Sequence, residues 1–190
     1  VEPQMRAYRR WFHEHPELSG IEKETSAKIL EVVKAQGLSW EMVGDYGIIA
    51  RIEGGFEGKT VVLRADMDAL PVKESRENLS GEKVSVSGND GVSHACGHDA
   101  HMAMMLGAML VLNRLKSQLH GTVLVVFEQA EETGRGVDQM MEALKRYPVD
   151  TCYATHVYAG LENGRLCVQP GERMAALTSF TIRVKGKGGH

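Results

Sequence analysis

The stretch GTVLVVFEQ, residues 121–129, constrains the fold more than any other part of the chain. From Val123 to Phe127 it is unbroken apolar residues, mostly β-branched, with no alternation. Such a run suits a strand covered on both faces rather than one with a wet side. DTCYATHV, from Asp150, is a second run of this kind, and the pattern between them predicts a helix from about Val137 to Arg146. Together they make a β-α-β unit. Upstream, GIIARIEG and KTVVLRAD read as paired strands joined by the turn Gly54-Gly55-Phe56-Glu57-Gly58. Helices are expected over 3–15 and 21–36, the second carrying Ile21, Thr25, Ile29, Val32 and Val33 on one stripe and closing at Gly37. Residues 99–116 are apolar on nearly every face, as in a buried helix, and the polar residues 73–91 read as a surface loop. The expected architecture is α/β, with a mixed, largely buried sheet and helices on both faces.

Composition narrows the function classes. At 190 residues and 43% hydrophobic, the chain has the material for one good-sized core and the start of a second domain. A net charge of −3 argues against a nucleic-acid partner. The longest apolar run, Met102 to Leu112, is too short to span a bilayer, so no membrane partner is expected. The opening Arg6-Ala7-Tyr8-Arg9-Arg10 does not resemble a signal peptide. Cys96, Cys152 and Cys167 are odd in number and far apart, which is no disulfide framework and points to a cytoplasmic protein.

The chemistry concentrates in GVSHACGHDAH, residues 91–101, at the mouth of the apolar helix. Helix propensity does not explain so many histidines there. Asp66 and Asp68 follow one predicted strand, Glu131 and Glu132 follow another, and His156 ends a third. In open α/β sheets ligands bind beyond the carboxyl ends of strands, so these segments and Cys96/His98 deliver donors to one rim. Each piece has an ordinary explanation. His156 suits a structural histidine, Glu131-Glu132 a solvated turn, Asp99 a helix-dipole partner and Cys96 an inert buried thiol. All must hold at once, however, and four carboxylates beside buried strands repel one another without a cation.

A structural zinc site would use four closely spaced Cys or His ligands, and the other cysteines are remote. Thiolate, imidazole and carboxylate together suit zinc, cobalt, nickel or manganese in a catalytic site. Two such ions, bridged by Cys96, would lower the pKa of a water from about 15.7 to about 7 and polarise a carbonyl. One glutamate of the pair would bind metal while its neighbour takes the water proton. Two other readings stay open. Cys96 could be a nucleophile with His98 or His101 as its base, although this leaves both acidic pairs idle. The chain could also bind metal without catalysis.

RADMDALP, HACGHDAH, AEET and TH, in this order, resemble the di-metal amidohydrolases that include hippurate hydrolase, aminoacylase and auxin-conjugate (IAA-amino acid) hydrolase. WFHEHPELSGIEKET resembles the N-terminal helix pair of the same family. The resemblance implies a zinc-peptidase-like catalytic domain that cleaves N-acyl amino acids, related conjugates or short peptides with two divalent ions. It places Cys96, His98, Glu132 and His156 as metal ligands, with Cys96 bridging, and Glu131 as general base. Asp68 takes the place of a carboxylate that orients a ligand, a role Asp66 could share or own.

The chain departs from the family pattern at Gln129, where a proline is usual, at Thr133 and Arg135, where glycines are usual, and in THVYAGLENG, which lacks the proline that commonly follows the histidine. The metal donors survive these changes; the shape of the pocket is what they affect. LTSFTIRVKGKGGH resembles the first strand of a small α+β lid domain, with His190 at the place of a histidine that reaches substrate. The resemblance therefore implies an N-terminal fragment. Residues 1–175 would belong to the catalytic domain, 176–190 would begin the lid, and the missing lid would make a homodimer.

Overall fold

The computed structural model describes residues 1–174, 178 and 180–189. In chain order the elements are α1 (Glu2–Glu14), α2 (Lys23–Ala35), β1 (Ser39–Val43), β2 (Gly47–Glu53), β3 (Phe56–Asp66), β4 (Glu77–Asn78), β5 (Gly81–Glu82), α3 (His98–Arg114), β6 (His120–Glu128), α4 (Arg135–Leu144) and β7 (Val149–Ala154). The chain divides into two compact units, Val1–Val157 and Tyr158–His190. Every named element lies in the first unit. Residues 178 and 180–189 take no strand, and the remaining positions of the expected lid strand, with His190, lie outside the described residues.

Five strands form a mixed sheet in the order β1-β2-β6-β3-β7, while β4 and β5 make a small separate pair within the expected loop. β6 is antiparallel to β2 and parallel to β3, and β3 is parallel to β7. The expected β2–β3 hairpin is therefore not formed, because β6 lies between the two strands. The glycines of the connection have another use. A Cβ at Gly54 or Gly55 would stand 2.5–2.6 Å from the carbonyl oxygens of Leu119 and Ser117. The connection presses its backbone against the approach to β6, and Gly54 N–H donates to the Gly121 carbonyl at 2.8 Å. Only glycine permits that approach.

β6 behaves as its composition predicts. Val125 and Phe127 pack on one face with Ile48, Ala50 and Ile52 of β2, under Phe12, Ile29, Val33, Met102 and Leu106 of the first three helices. Leu124 and Val126 pack on the other face with Ile49, Val62, Met140 and Ala143, under α4. Burying each large side chain contributes about 1.5–3 kcal/mol. Helices thus cover both faces. β7 departs from expectation: it is the last strand of the sheet and mostly exposed, so its apolar run marks an edge rather than a covered centre. Among the described residues no helix is long and apolar enough to cross a membrane.

A polar clamp joins α1, α3 and the 73–91 loop. His13 Nδ1 lies 2.7 Å from Asp99 Oδ2, and its Nε2 lies 2.9 Å from Glu74 Oε1. Two carboxylates can both accept only from an imidazolium. Arg9 also faces Asp99 at 3.4 Å, Lys83 faces Glu74 at 2.8 Å, and the buried His94 contributes to the field at Asp99. The hydrogen bond to Asp99, with that to Glu74, raises the His13 pKa above its ordinary 6.5 despite the opposing effect of burial. A raised histidine stabilises the fold fully below its unfolded pKa and loses that contribution as pH rises through the folded one. The thermal midpoint of the protein should therefore exceed that of a His13→Gln variant most at about pH 5–6, and the gap should shrink above about pH 7. A gap that widens with rising pH would show that His13 is held neutral.

Candidate metal centre

β3, β6 and β7 run parallel, so their carboxyl ends share one rim. Asp66 ends β3 and Asp68 follows it; Glu131 and Glu132 form a 3-10 turn after β6; His156 follows β7. The first residue of α3 is His98, which brings Cys96 and His98 to the same place. The structure thus gathers every described residue singled out as a candidate.

His98 is the hub. Among the described residues it belongs to all three donor groups compact enough to hold an ion: Cys96/His98/His156, Asp66/His98/His101 and Asp68/His98/Glu131. Its Nδ1 lies 3.3 Å from Asp68 Oδ1. Its Nε2 faces Glu132 Oε1 at 3.6 Å, Asp66 Oδ1 at 3.7 Å and Glu131 Oε2 at 3.9 Å. None of these contacts is aligned as a hydrogen bond, and both ring nitrogens, Asp68 Oδ1 and Glu132 Oε1 are buried without a partner. Buried polar atoms are normally paired, and carboxylates gathered this closely around one ring need positive charge among them. That donor set fits a divalent cation. Burial opposes a charge on His98, but Asp68, Asp66 and Glu132 outweigh it and raise its pKa.

The surrounding contacts fix tautomers. Nδ1 of His156 lies 2.6 Å from the Val157 carbonyl and must donate to it, which leaves the Nε2 lone pair toward Cys96 Sγ at 3.4 Å. Nδ1 of His101 donates to Asp66 Oδ1 at 2.7 Å, and its Nε2 accepts the Val157 N–H at 3.0 Å. Asp66 also accepts from Arg64 at 2.9 Å. Burial alone would raise Asp66; the hydrogen bond from His101 and the charges of His98 and Arg64 bring it down to about 2. The two aspartates therefore do different things: Asp68 faces His98, while Asp66 orders His101 and, through Val157, the strand end that carries His156.

Burial, reinforced by the Glu132, Asp66 and Glu131 carboxylates, pushes the Cys96 thiol up to about 12. A nucleophilic or a metal-bound cysteine is a thiolate, so this thiol needs a cation beside it to act as either. Burial brings His94 down to about 4, and neither ring nitrogen has a partner. His156 Nε2 contacts the thiol at 3.4 Å, and the Glu132 carboxylate also reaches it.

Glu131 and Glu132 differ in exposure. The Glu131 side chain is 37% exposed and Glu132 21%, with Glu132 Oε1 turned inward. Burial and the neighbouring Asp66 and Glu132 raise Glu131, against the pull of His98 and Arg64. The turn begins at Ala130, the only described non-glycine residue with positive φ, at 51°. That conformation costs an alanine about 1–2 kcal/mol. Three residues that sequence reading did not single out hold this region. Glu22, wholly buried, accepts the Ala130 N–H; Ser19 donates to Asp68; and Arg64 bridges Asp66 and Glu128. Gln129, the departure from proline, accepts from the Tyr46 and Gly47 N–H groups and donates to Gln139, tying the β1–β2 turn to α4. Such contacts span 64 to 108 residues for Arg64–Glu128 and Glu22–Ala130, so no local spacing signals them.

The sequence model of Peptidase family M20/M25/M40 matches residues 62–187. The chain belongs to this family. It is 38% identical over 186 residues to an N-acyl-L-amino acid amidohydrolase of Geobacillus stearothermophilus, a match that covers 97% of this chain and 49% of the relative. It is 39% identical to an IAA-amino acid hydrolase of Arabidopsis thaliana, covering 96% of this chain and 41% of that one. A solved Bacillus subtilis protein described as a dinuclear metal binding peptidase from the M20 family superposes with a TM-score of 0.76 at 37% identity, over 84% of this chain and 44% of the other. The chain thus spans about half the length of the M20 relatives it matches, and its mixed sheet shares the fold of the matched part of that solved structure.

Proposed function

We propose that this chain supplies the catalytic core of a metal-dependent amidohydrolase that cleaves the amide bond of N-acyl amino acids, related conjugates or short peptides. The observation that carries the reading is the convergence of unpartnered Glu132, Asp68 and His98 atoms beside Cys96 and His156. The fit of these donors supports two divalent ions drawn from zinc, manganese, cobalt and nickel, with Cys96, His98, Glu132 and His156 as ligands. When bound, such ions supply a water of lowered pKa and polarise the amide carbonyl.

The chain's own residues do the rest. Glu131, the more exposed glutamate, accepts the proton of the attacking water and passes it to the departing amine nitrogen as the C–N bond breaks. Asp68, 3.3 Å from His98 Nδ1, favours a proton on that nitrogen and would leave Nε2 free to hold metal. Asp66 holds His101. In this reading residues 1–175 belong to the catalytic domain and 176–190 begin a lid that makes the homodimer. The resemblance of LTSFTIRVKGKGGH supports this reading and gives His190 a place beside the substrate.

The test is metal analysis of the intact enzyme alongside hydrolysis of N-acetyl, N-benzoyl and aminobenzoyl amino acids. Two bound ions are expected, with hydrolysis lost in chelator and restored by divalent metal. Hydrolysis that survives complete metal removal but dies on alkylation of Cys96 would replace this reading with the thiol mechanism. Tight metal binding with no hydrolysis of any amide would leave a metal scaffold.

A further inference from the structure

Glu22 is a carboxyl that the mechanism above does not use, placed where carboxyls are rarely found. It sits immediately before α2, is wholly buried, and none of the described lysines or arginines pairs with it. We infer that Glu22 is a positioning residue that holds the Glu131–Glu132 turn in register with His98 through the backbone N–H of Ala130, an inference that rests on the roles given to Glu131 and Glu132 above.

The geometry runs as a chain of contacts. Glu22 Oε1 accepts the Ala130 N–H at 2.7 Å across 108 residues of sequence. Ala130 is held in the left-handed region at φ 51°, which sends the backbone sharply out of β6 and into the turn. The Ala130 carbonyl accepts from Thr133 Oγ1 and the Arg135 N–H, both at 3.2 Å. Two residues on, the Glu132 N–H donates to Asp68 Oδ2 at 3.0 Å. The turn is therefore pinned on both sides of Glu131. The same short N-terminal segment serves both pins, since Ser19 Oγ donates to that Asp68 oxygen at 2.6 Å. Removing the Glu22 acceptor would orphan a buried N–H at a residue already in an unfavourable conformation, and the turn would relax. Glu131 and Glu132 would move together, because they follow Ala130 directly.

A merely structural Glu22 would change stability alone. The experiment uses the intact, metal-loaded enzyme with three variants. Glu22→Met fills the same space and removes the acceptor, Glu22→Gln keeps a carbonyl acceptor, and Glu131→Gln is the reference. The readouts are kcat, KM, thermal midpoint and metal affinity by chelator competition. Glu22→Met is expected to lower kcat about 10–100-fold, the scale of a small misplacement of catalytic groups, with KM changed little. It should weaken metal affinity about 10-fold, as loss of an outer hydrogen bond does. Glu22→Gln should restore most of both. Should Glu22→Met fail to fold, Glu22→Asp removes the same hydrogen bond by withdrawing the carboxylate about 1.5 Å. A lower thermal midpoint with native kcat and metal affinity overturns the inference. So does an equal loss in Glu22→Gln, which would make the charge rather than the acceptor the relevant property. If Glu131→Gln turns over normally, the general-base reading fails, and metal affinity in the Glu22 variants then decides the positioning of Glu132 by itself.

Discussion

Glu131→Gln is expected to lower kcat by about 10²-fold or more, the usual scale for loss of a general base, while metal content stays native. The amide keeps the shape and hydrogen-bonding reach of the carboxylate but cannot take a proton. Glu131 is also the more accessible of the pair, 37% exposed against 21% for Glu132, so its oxygen is open to a water and a substrate. Burial, with Asp66 and Glu132 nearby, disfavours its anion. Glu132→Gln should behave differently. Its buried, unpartnered Oε1 points toward His98, and replacing that carboxylate should loosen metal as well as turnover. Kinetics and metal analysis on both variants separate the two roles. Equal metal content in both, with normal turnover in Glu131→Gln, would remove the division of labour between them.

The parts of the fold that were legible in the sequence are those whose signal is local. The uniform apolar run of β6 announces a strand covered on two faces, and it is covered on two faces. The periodic stripe of α2 and the apolar length of α3 announce helices, found within two residues of their expected bounds. Strand order was not legible. β2 and β3 are adjacent in sequence with glycines between them, the usual mark of a hairpin, yet β6 enters between them from far along the chain. Nothing in either strand encodes that choice. β7 misled for a related reason: its apolar residues resemble those of β6, and only sheet position makes one strand central and the other an edge. The spatial gathering of Cys96, His98 and His156 could be anticipated because each follows or precedes a recognisable element. The contacts made by Glu22, Ser19 and Arg64 could not, since each is an ordinary polar residue until the fold brings its partner near. Asp66 and Asp68 looked interchangeable two positions apart, and only the placement of His101 and His98 on α3 separates them.

Replacing His98 should have the widest consequence of any single change, because it alone belongs to all three donor groups. His98→Gln removes the imidazole that stands between Asp68 on one side and Asp66, Glu131 and Glu132 on the other. The carboxylates then face one another with one fewer cation ligand, and glutamine has no ring nitrogen to aim. Metal should be lost from the variant under conditions that leave the native enzyme loaded, and turnover should fall with it. The second readout does not depend on catalysis. A ligand that binds only the folded state stabilises it by mass action, about 2.7 kcal/mol at a hundred times its Kd, so added divalent metal should raise the native thermal midpoint substantially. In His98→Gln that rise should largely vanish, and the midpoint in chelator should also fall below that of metal-free native protein, since the ring that Asp68, Asp66 and Glu132 favour in its charged form is gone. If the variant keeps its metal and its metal-induced rise in midpoint, the cation is not held at His98.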